Sequence, residues 1–123
     1  MIVDSHCHLD YDPMVGQLDL ILDRALKNGV KYLLTISTKD ESFNNILNIV
    51  KKYDAVYGSY GIHPHEAKNH LHIKKNKIIK NVKKNKKIIG IGETGLDFYY
   101  NHSDHADQKK LFIEHINASQ ELD

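Results

Sequence analysis

The chain has 123 residues, of which 41% are hydrophobic and 27% charged, the length and balance of one soluble globular domain with room for a buried core. Its formal net charge of +1 excludes nucleic-acid binding through bulk charge. The single cysteine, Cys7, excludes an intrachain disulfide, no apolar run approaches the ~20 residues of a membrane span, and no basic stretch leads into a long apolar one at the N-terminus, so a cytoplasmic protein with no membrane partner is expected.

Ile2 and Val3 open a short apolar run that ends at His6 and His8 and reads as a first strand. In QLDLILDRALKNG, Leu18, Ile21, Leu22, Ala25 and Leu26 recur at helical spacing, and Gly29 is a stop signal. VKYLLTIST follows, β-branched and aromatic with little alternation, the pattern of a strand covered on both faces. DESFNNILNIVKKY is helical again, with Phe43, Ile46, Leu47 and Val50 on one stripe. AVYGSYGIHPH reads as a third strand broken by glycines and Pro64, and HLHIKKNKIIKNVKKN as a lysine-rich helix with Ile78, Ile79 and Val82 inward. KKIIGIGETGLD is a fourth strand entering a glycine-rich loop. A last helix lies in SDHADQKKLFIEHINASQELD, with Leu111, His115, Ala118 and Leu122 on one face and Asp104 as its cap. Four strand–helix units in succession imply an α/β fold of parallel strands with right-handed crossovers. No linker or low-complexity tract interrupts residues 1–123, which read as one domain.

In such folds chemistry gathers at the carboxyl ends of the strands. Strand one ends with His6 and His8, strand two with Ser37 and Thr38, strand three with His63 and His65 around Pro64, and strand four with Glu93 followed by Asp97. These positions hold four of the nine histidines, and histidine is the commonest metal ligand. Residues i and i+2 of a strand share a face, so His6 and His8 aim at one point while Cys7 turns away. Two imidazoles suit a first-row divalent metal, and Glu93 is the carboxylate that completes the set, since parallel packing brings strands one and four to one rim. Its two oxygens also suit it to bridge two metals about 3.5–4 Å apart, a common arrangement for hydrolysing phosphodiesters.

Plainer readings stand beside these. An H-x-H pair by itself is as often incidental as functional, but Asp4 and Ser5 ahead of it at a strand end favour metal. His63 is assigned to the site, His65 is open between site and loop cap, and Asp97 is read as supporting. Gly90, Gly92 and Gly95 around Glu93 suggest backbone crowding near a ligand. Cys7 reads as a small buried hydrophobe. His70, His72, His102, His105 and His115 read as surface or packing residues, and the eight lysines of residues 74–87 as a solvated helix face.

VDSHCHLD, GIHPH and IGETGLDFYY, in that order and followed by a helix with Gln108 and Phe112, resemble the TatD family of metal-dependent hydrolases over nearly the whole chain. The resemblance implies a (β/α)8 barrel with two divalent metal ions (magnesium, zinc or manganese) and deoxyribonuclease activity on DNA or another phosphodiester. It implies that His6 and His8 bind the first metal, that Glu93 bridges both and is the catalytic carboxylate, and that His63 lines the substrate site. A (β/α)8 barrel takes about 250 residues, so the chain is expected to hold about four N-terminal βα units, without the two later histidines and the aspartate of the family pattern. By itself it is expected to be inactive or nearly so. Strands one and four would be open edges, a route to dimerisation, although no stable protein partner is expected. Two other readings remain: a deacylase of misacylated transfer RNA on the same scaffold, and a non-catalytic half-barrel serving as an assembly module.

Overall fold

The computed structural model describes residues 1–122; Asp123, the last residue of the expected domain, lies outside the described residues. Four strands, β1 (Ile2–Cys7), β2 (Val30–Thr35), β3 (Val56–Tyr60) and β4 (Ile88–Ile91), alternate with four helices, α1 (Leu18–Lys27), α2 (Phe43–Lys52), α3 (Lys75–Val82) and α4 (His105–Leu122). The sheet is parallel throughout, in the order β1-β2-β3-β4, so β1 and β4 are its edges as expected.

The helical stripes read from the sequence are the ones that pack, except at the end of α1, where Leu18 and Leu22 are buried but Leu26 is 43% exposed. Phe43, Ile46, Leu47 and Val50 of α2 are all buried, as are Ile78 and Ile79 of α3 and Leu111, His115 and Ala118 of α4. They cover one face of the sheet, where Leu33, Val56, Tyr60 and Ile88 join them in one core. Glycine permits the close approach of α2: a Cβ on Gly58 would lie 2.8 Å from both Ile46 Cγ2 and Ile88 Cδ1. Gly29, at φ 91°, ends α1 in the left-handed region that the stop signal requires.

Two expectations need correction. β2 is covered on its helix side only: Leu33 and Thr35 are buried, whereas Tyr32, on the opposite face beside Tyr57, is 47% exposed. Four strands do not curl far enough to close over their own inner face, and Ile89 of β4 is likewise 59% exposed. The lysine-rich helix is also shorter than its pattern. Residues 70–74 stay outside α3, with Ile73 N–H bonded to the His70 carbonyl (2.9 Å), and a 3-10 turn over Pro64–Asn69, opened by Pro64, precedes them.

Candidate metal centre

The rim at the carboxyl ends of the strands is held by side-chain hydroxyls and by loop-to-loop backbone bonds. Ser37 Oγ donates to the Gly61 carbonyl (3.1 Å) and Ser59 Oγ to that of Gly92 (2.5 Å). Glu93 N–H donates to the Ser37 carbonyl (2.8 Å) and His63 N–H to that of Thr38 (2.8 Å). The end of strand two therefore contributes scaffolding to the rim, and it fixes where the residues of strands three and four sit. Gly92, at φ 153°, turns the chain so that Glu93 enters the cleft.

His6, His8 and Glu93 meet there: one donor atom from each lies within 4.8 Å of the others. Glu93 Oε2 is 3.5 Å from His6 Nε2 and 4.0 Å from His8 Nε2. The two rings are 5.3 Å apart and edge-on, so both imidazoles do face one point. Cys7 turns the other way, its Sγ 3.4 Å from the Leu34 carbonyl and packed against the core, where burial pushes its thiol up to about 12. That fits a small apolar filler and argues against a nucleophile.

The donor set fits a divalent cation. His8 Nδ1 lies 3.1 Å from the Ile36 carbonyl, which cannot donate, so Nδ1 carries the proton and Nε2 presents a lone pair to the cleft. Tyr11 stacks on the same ring at 4.9 Å and is itself tied to Thr38 by a 2.6 Å hydrogen bond, which holds the orientation. Two nitrogens and a carboxylate oxygen around an ion at about 2.0–2.2 Å stand roughly 3.4 Å apart, close to the spacings present.

His63 has the opposite polarity. Its Nδ1 accepts the backbone N–H of His65 (3.1 Å), so in the neutral ring Nε2 carries the proton and points it at Glu93 Oε1, 3.5 Å away. Burial holds its pKa below the ordinary imidazole value despite the attraction of Glu93. It is therefore set up as a neutral donor. His65 is bound to Asp97 at 2.6 Å, and that hydrogen bond holds the Asp97 carboxyl below the usual range. Asp97 thus holds the ring of a histidine that lines the cleft.

His6, His8, His63, His65 and Glu93, with Tyr11, Thr38, Lys39 and Glu66, line an open cleft of about 410 Å³. Sequence reasoning did not single out Tyr11 or Lys39, which carry no local pattern. His115 was placed on the inward face of α4, but its function was not legible: its Nε2 accepts the Ile62 N–H (3.2 Å) and so anchors the residue before His63. A histidine on an otherwise apolar helical stripe was the available signal.

Among known proteins, the family described as TatD related DNase matches residues 3–123. A protein of Buchnera aphidicola subsp. Baizongia pistaciae, named as an uncharacterized metal-dependent hydrolase, is 40% identical over 123 residues, covering 96% of this chain and 45% of the relative. A namesake from Buchnera aphidicola subsp. Acyrthosiphon pisum is 36% identical over 129 residues, covering 98% and 49% respectively. The crystal structure of YjjV, a TatD homolog from Escherichia coli, superposes with a TM-score of 0.89 at 26% identity, over 98% of this chain and 47% of that one. The chain spans about half the length of the curated relatives it matches. Its four βα units are thus part of a (β/α)8 barrel, the fold that the motifs implied.

Proposed function

The chain belongs to the TatD related DNase family, and from that membership and its own geometry we propose that it carries the first metal site of a divalent-metal-dependent phosphodiesterase acting on DNA. The observation that supports this most is the convergence of His6, His8 and Glu93, from opposite edges of the sheet, on one point.

In this reading His6, His8 and Glu93 would hold the ion, His6 and His8 through the Nε2 atoms that face Glu93 Oε2. A divalent cation bound there supplies an acidified water and polarises a phosphoryl oxygen. Glu93, whose second oxygen faces His63, would be the residue able to hold a second ion in a complete site. His63 Nε2–H donates to a phosphoryl oxygen of the substrate, and its neutral state allows it to do so without drawing Glu93 into an ion pair. Lys39 supplies positive charge to the cleft lining. Imidazole ligands favour zinc or manganese over magnesium at this first position. One cluster of three such donors forms among the described residues, so the chain by itself binds one ion and cleaves DNA weakly or not at all.

Calorimetric titration of the 123-residue chain with Mn2+ tests this. One ion should bind per chain, with affinity lowered more than ~10-fold by His8→Ala and by Glu93→Ala. No saturable binding, or binding indifferent to both substitutions, would overturn the metal assignment. Robust DNA cleavage by the chain, abolished by Glu93→Ala, would overturn the claim that it holds an incomplete site.

A further inference from the structure

We propose that the loop after β4 forms a nucleobase-stacking platform, built from Tyr99 and Tyr100 and backed by His102, for an unpaired base of single-stranded DNA whose phosphate lies at the metal centre. This rests on the phosphodiesterase reading above and extends it to how the strand is gripped.

Three consecutive aromatics project from this loop: Phe98 is 44% exposed, Tyr99 85% and Tyr100 52%. Phe98 stacks on His105 at 4.1 Å, which leaves Tyr99 and Tyr100, edge to face at 4.8 Å, as the exposed pair. Their position is specific. The His63 ring, whose Nε2 is 3.5 Å from Glu93, lies 4.4 Å from the His65 ring, and His65 lies 5.6 Å from the Tyr100 ring. Tyr100 is therefore two ring contacts from His63, which itself meets the candidate metal ligand Glu93. Behind it, His102 stacks at 5.6 Å with 28° between the planes.

The platform is preorganised. Asp97 Oδ1 accepts the backbone N–H of Tyr99 (3.0 Å) and of Tyr100 (3.4 Å), while its Oδ2 holds His65. Gln108 then clamps Asp97 from both sides, accepting its N–H at 2.8 Å and donating to its carbonyl at 2.9 Å. The same carboxylate thus fixes both the site-lining histidine and the backbone from which the exposed rings project. A loop held this way loses little entropy when a ligand settles on it.

Charge favours stacking as the source of grip. The chain has a net charge of +1, and among the described residues Lys39 is the one lysine or arginine lining the cleft. Few phosphates can be neutralised there, so affinity has to come from the bases, whose π-faces stack on tyrosine with little regard to sequence. A base buried in a duplex cannot reach the rings, which selects for an unpaired strand.

The chain has no tryptophan, so Tyr99→Trp introduces a single reporter. Its emission should be quenched by oligodeoxyadenylate and not by an abasic strand of equal length. In the parent chain the base-bearing strand should bind more tightly than the abasic one, both in chelator and with Mn2+. Tyr99→Ala with Tyr100→Ala should weaken oligodeoxyadenylate binding about 5- to 100-fold, leave the abasic strand unchanged, and preserve the parent circular dichroism. Equal binding of the two strands by the parent, or an unmoved tryptophan signal, would overturn the platform. Metal separates this proposal from the reading beneath it. Base-dependent binding that gains nothing from Mn2+ supports the platform and counts against the metal centre; Mn2+-dependent binding without base dependence overturns the platform alone. No binding of either strand overturns the platform, whereas the metal centre stands or falls on Mn2+ titration of the same chain.

Discussion

Gly61 and Gly92 meet backbone to backbone: a Cβ on Gly61 would lie 2.5 Å from the carbonyl carbon of Gly92 and 2.6 Å from its Cα. Real Cβ atoms do not come that close, so the loops after β3 and β4 depend on a residue with no side chain. Glu93 follows directly from this contact. Gly61→Ala is therefore expected to displace Glu93 from His6 and His8 as well as to destabilise the fold by about 1–3 kcal/mol. Urea denaturation reads the second effect and Mn2+ titration the first. An alanine variant that keeps the parent affinity would show that the contact does not position the carboxylate.

Metal should stabilise the fold in proportion to its binding. At about 100 times its dissociation constant, a divalent ion contributes about 2.7 kcal/mol. The urea midpoint should rise with Mn2+ and return with chelator. Glu93→Gln keeps the shape of the side chain but removes the charge, so most of the metal-dependent rise should vanish while the midpoint in chelator stays near that of the parent.

Acid should weaken the apo protein through buried histidine. His115 is 1% exposed, donates Nδ1–H to the Leu111 carbonyl (2.8 Å) and accepts from Ile62 at Nε2, and burial holds its pKa below 6.5. A second proton would break the Ile62 bond and leave a buried charge. Because the folded pKa is depressed, the unfolded chain takes up the proton first. The stabilisation is therefore complete above pH 6.5 and is lost as pH falls toward the folded value. His63, also depressed by burial, acts in the same direction. Asp97 does not contribute in this window: its carboxyl is held below 3.8, so its share is lost only in stronger acid. Urea midpoints in chelator should fall from pH 7.5 to pH 5. His115→Gln should lower the midpoint at pH 7.5 and flatten that slope; an unchanged slope would remove His115 as its source.

Gly58 tests the packing of α2. An alanine there meets Ile46 and Ile88 at 2.8 Å and Val50 Cγ1 at 3.3 Å. Branched side chains in a filled core have little room to yield, so Gly58→Ala should cost about 1–3 kcal/mol. Metal affinity should change far less than in Gly61→Ala, because Gly58 lies within β3 and away from the rim.

The contrast between those two glycines marks the line between what the sequence by itself determined and what tertiary structure decided. Local periodicity was sufficient for the Phe43–Ile46–Leu47–Val50 stripe, the stop at Gly29, the shared aim of His6 and His8, and the order of strand and helix. Each is a relation over two to four residues, set by the pitch of a helix or the pleat of a strand. Glu93 was also legible, because parallel strands deliver their carboxyl ends to one rim. The open inner face of β2 was not: a strand's own residues do not reveal how many neighbours will curl over them. Nor were the proton positions on His8 and His63, which follow from an Ile36 carbonyl 28 residues away and from a turn begun by Pro64. The bonds from His65 to Asp97 and from Ile62 to His115 span 32 and 53 residues. Only the parallel register and the packing of α4 bring such partners together. Sequence therefore named the groups able to hold a metal, and the fold decided which nitrogen of each ring faces the cleft.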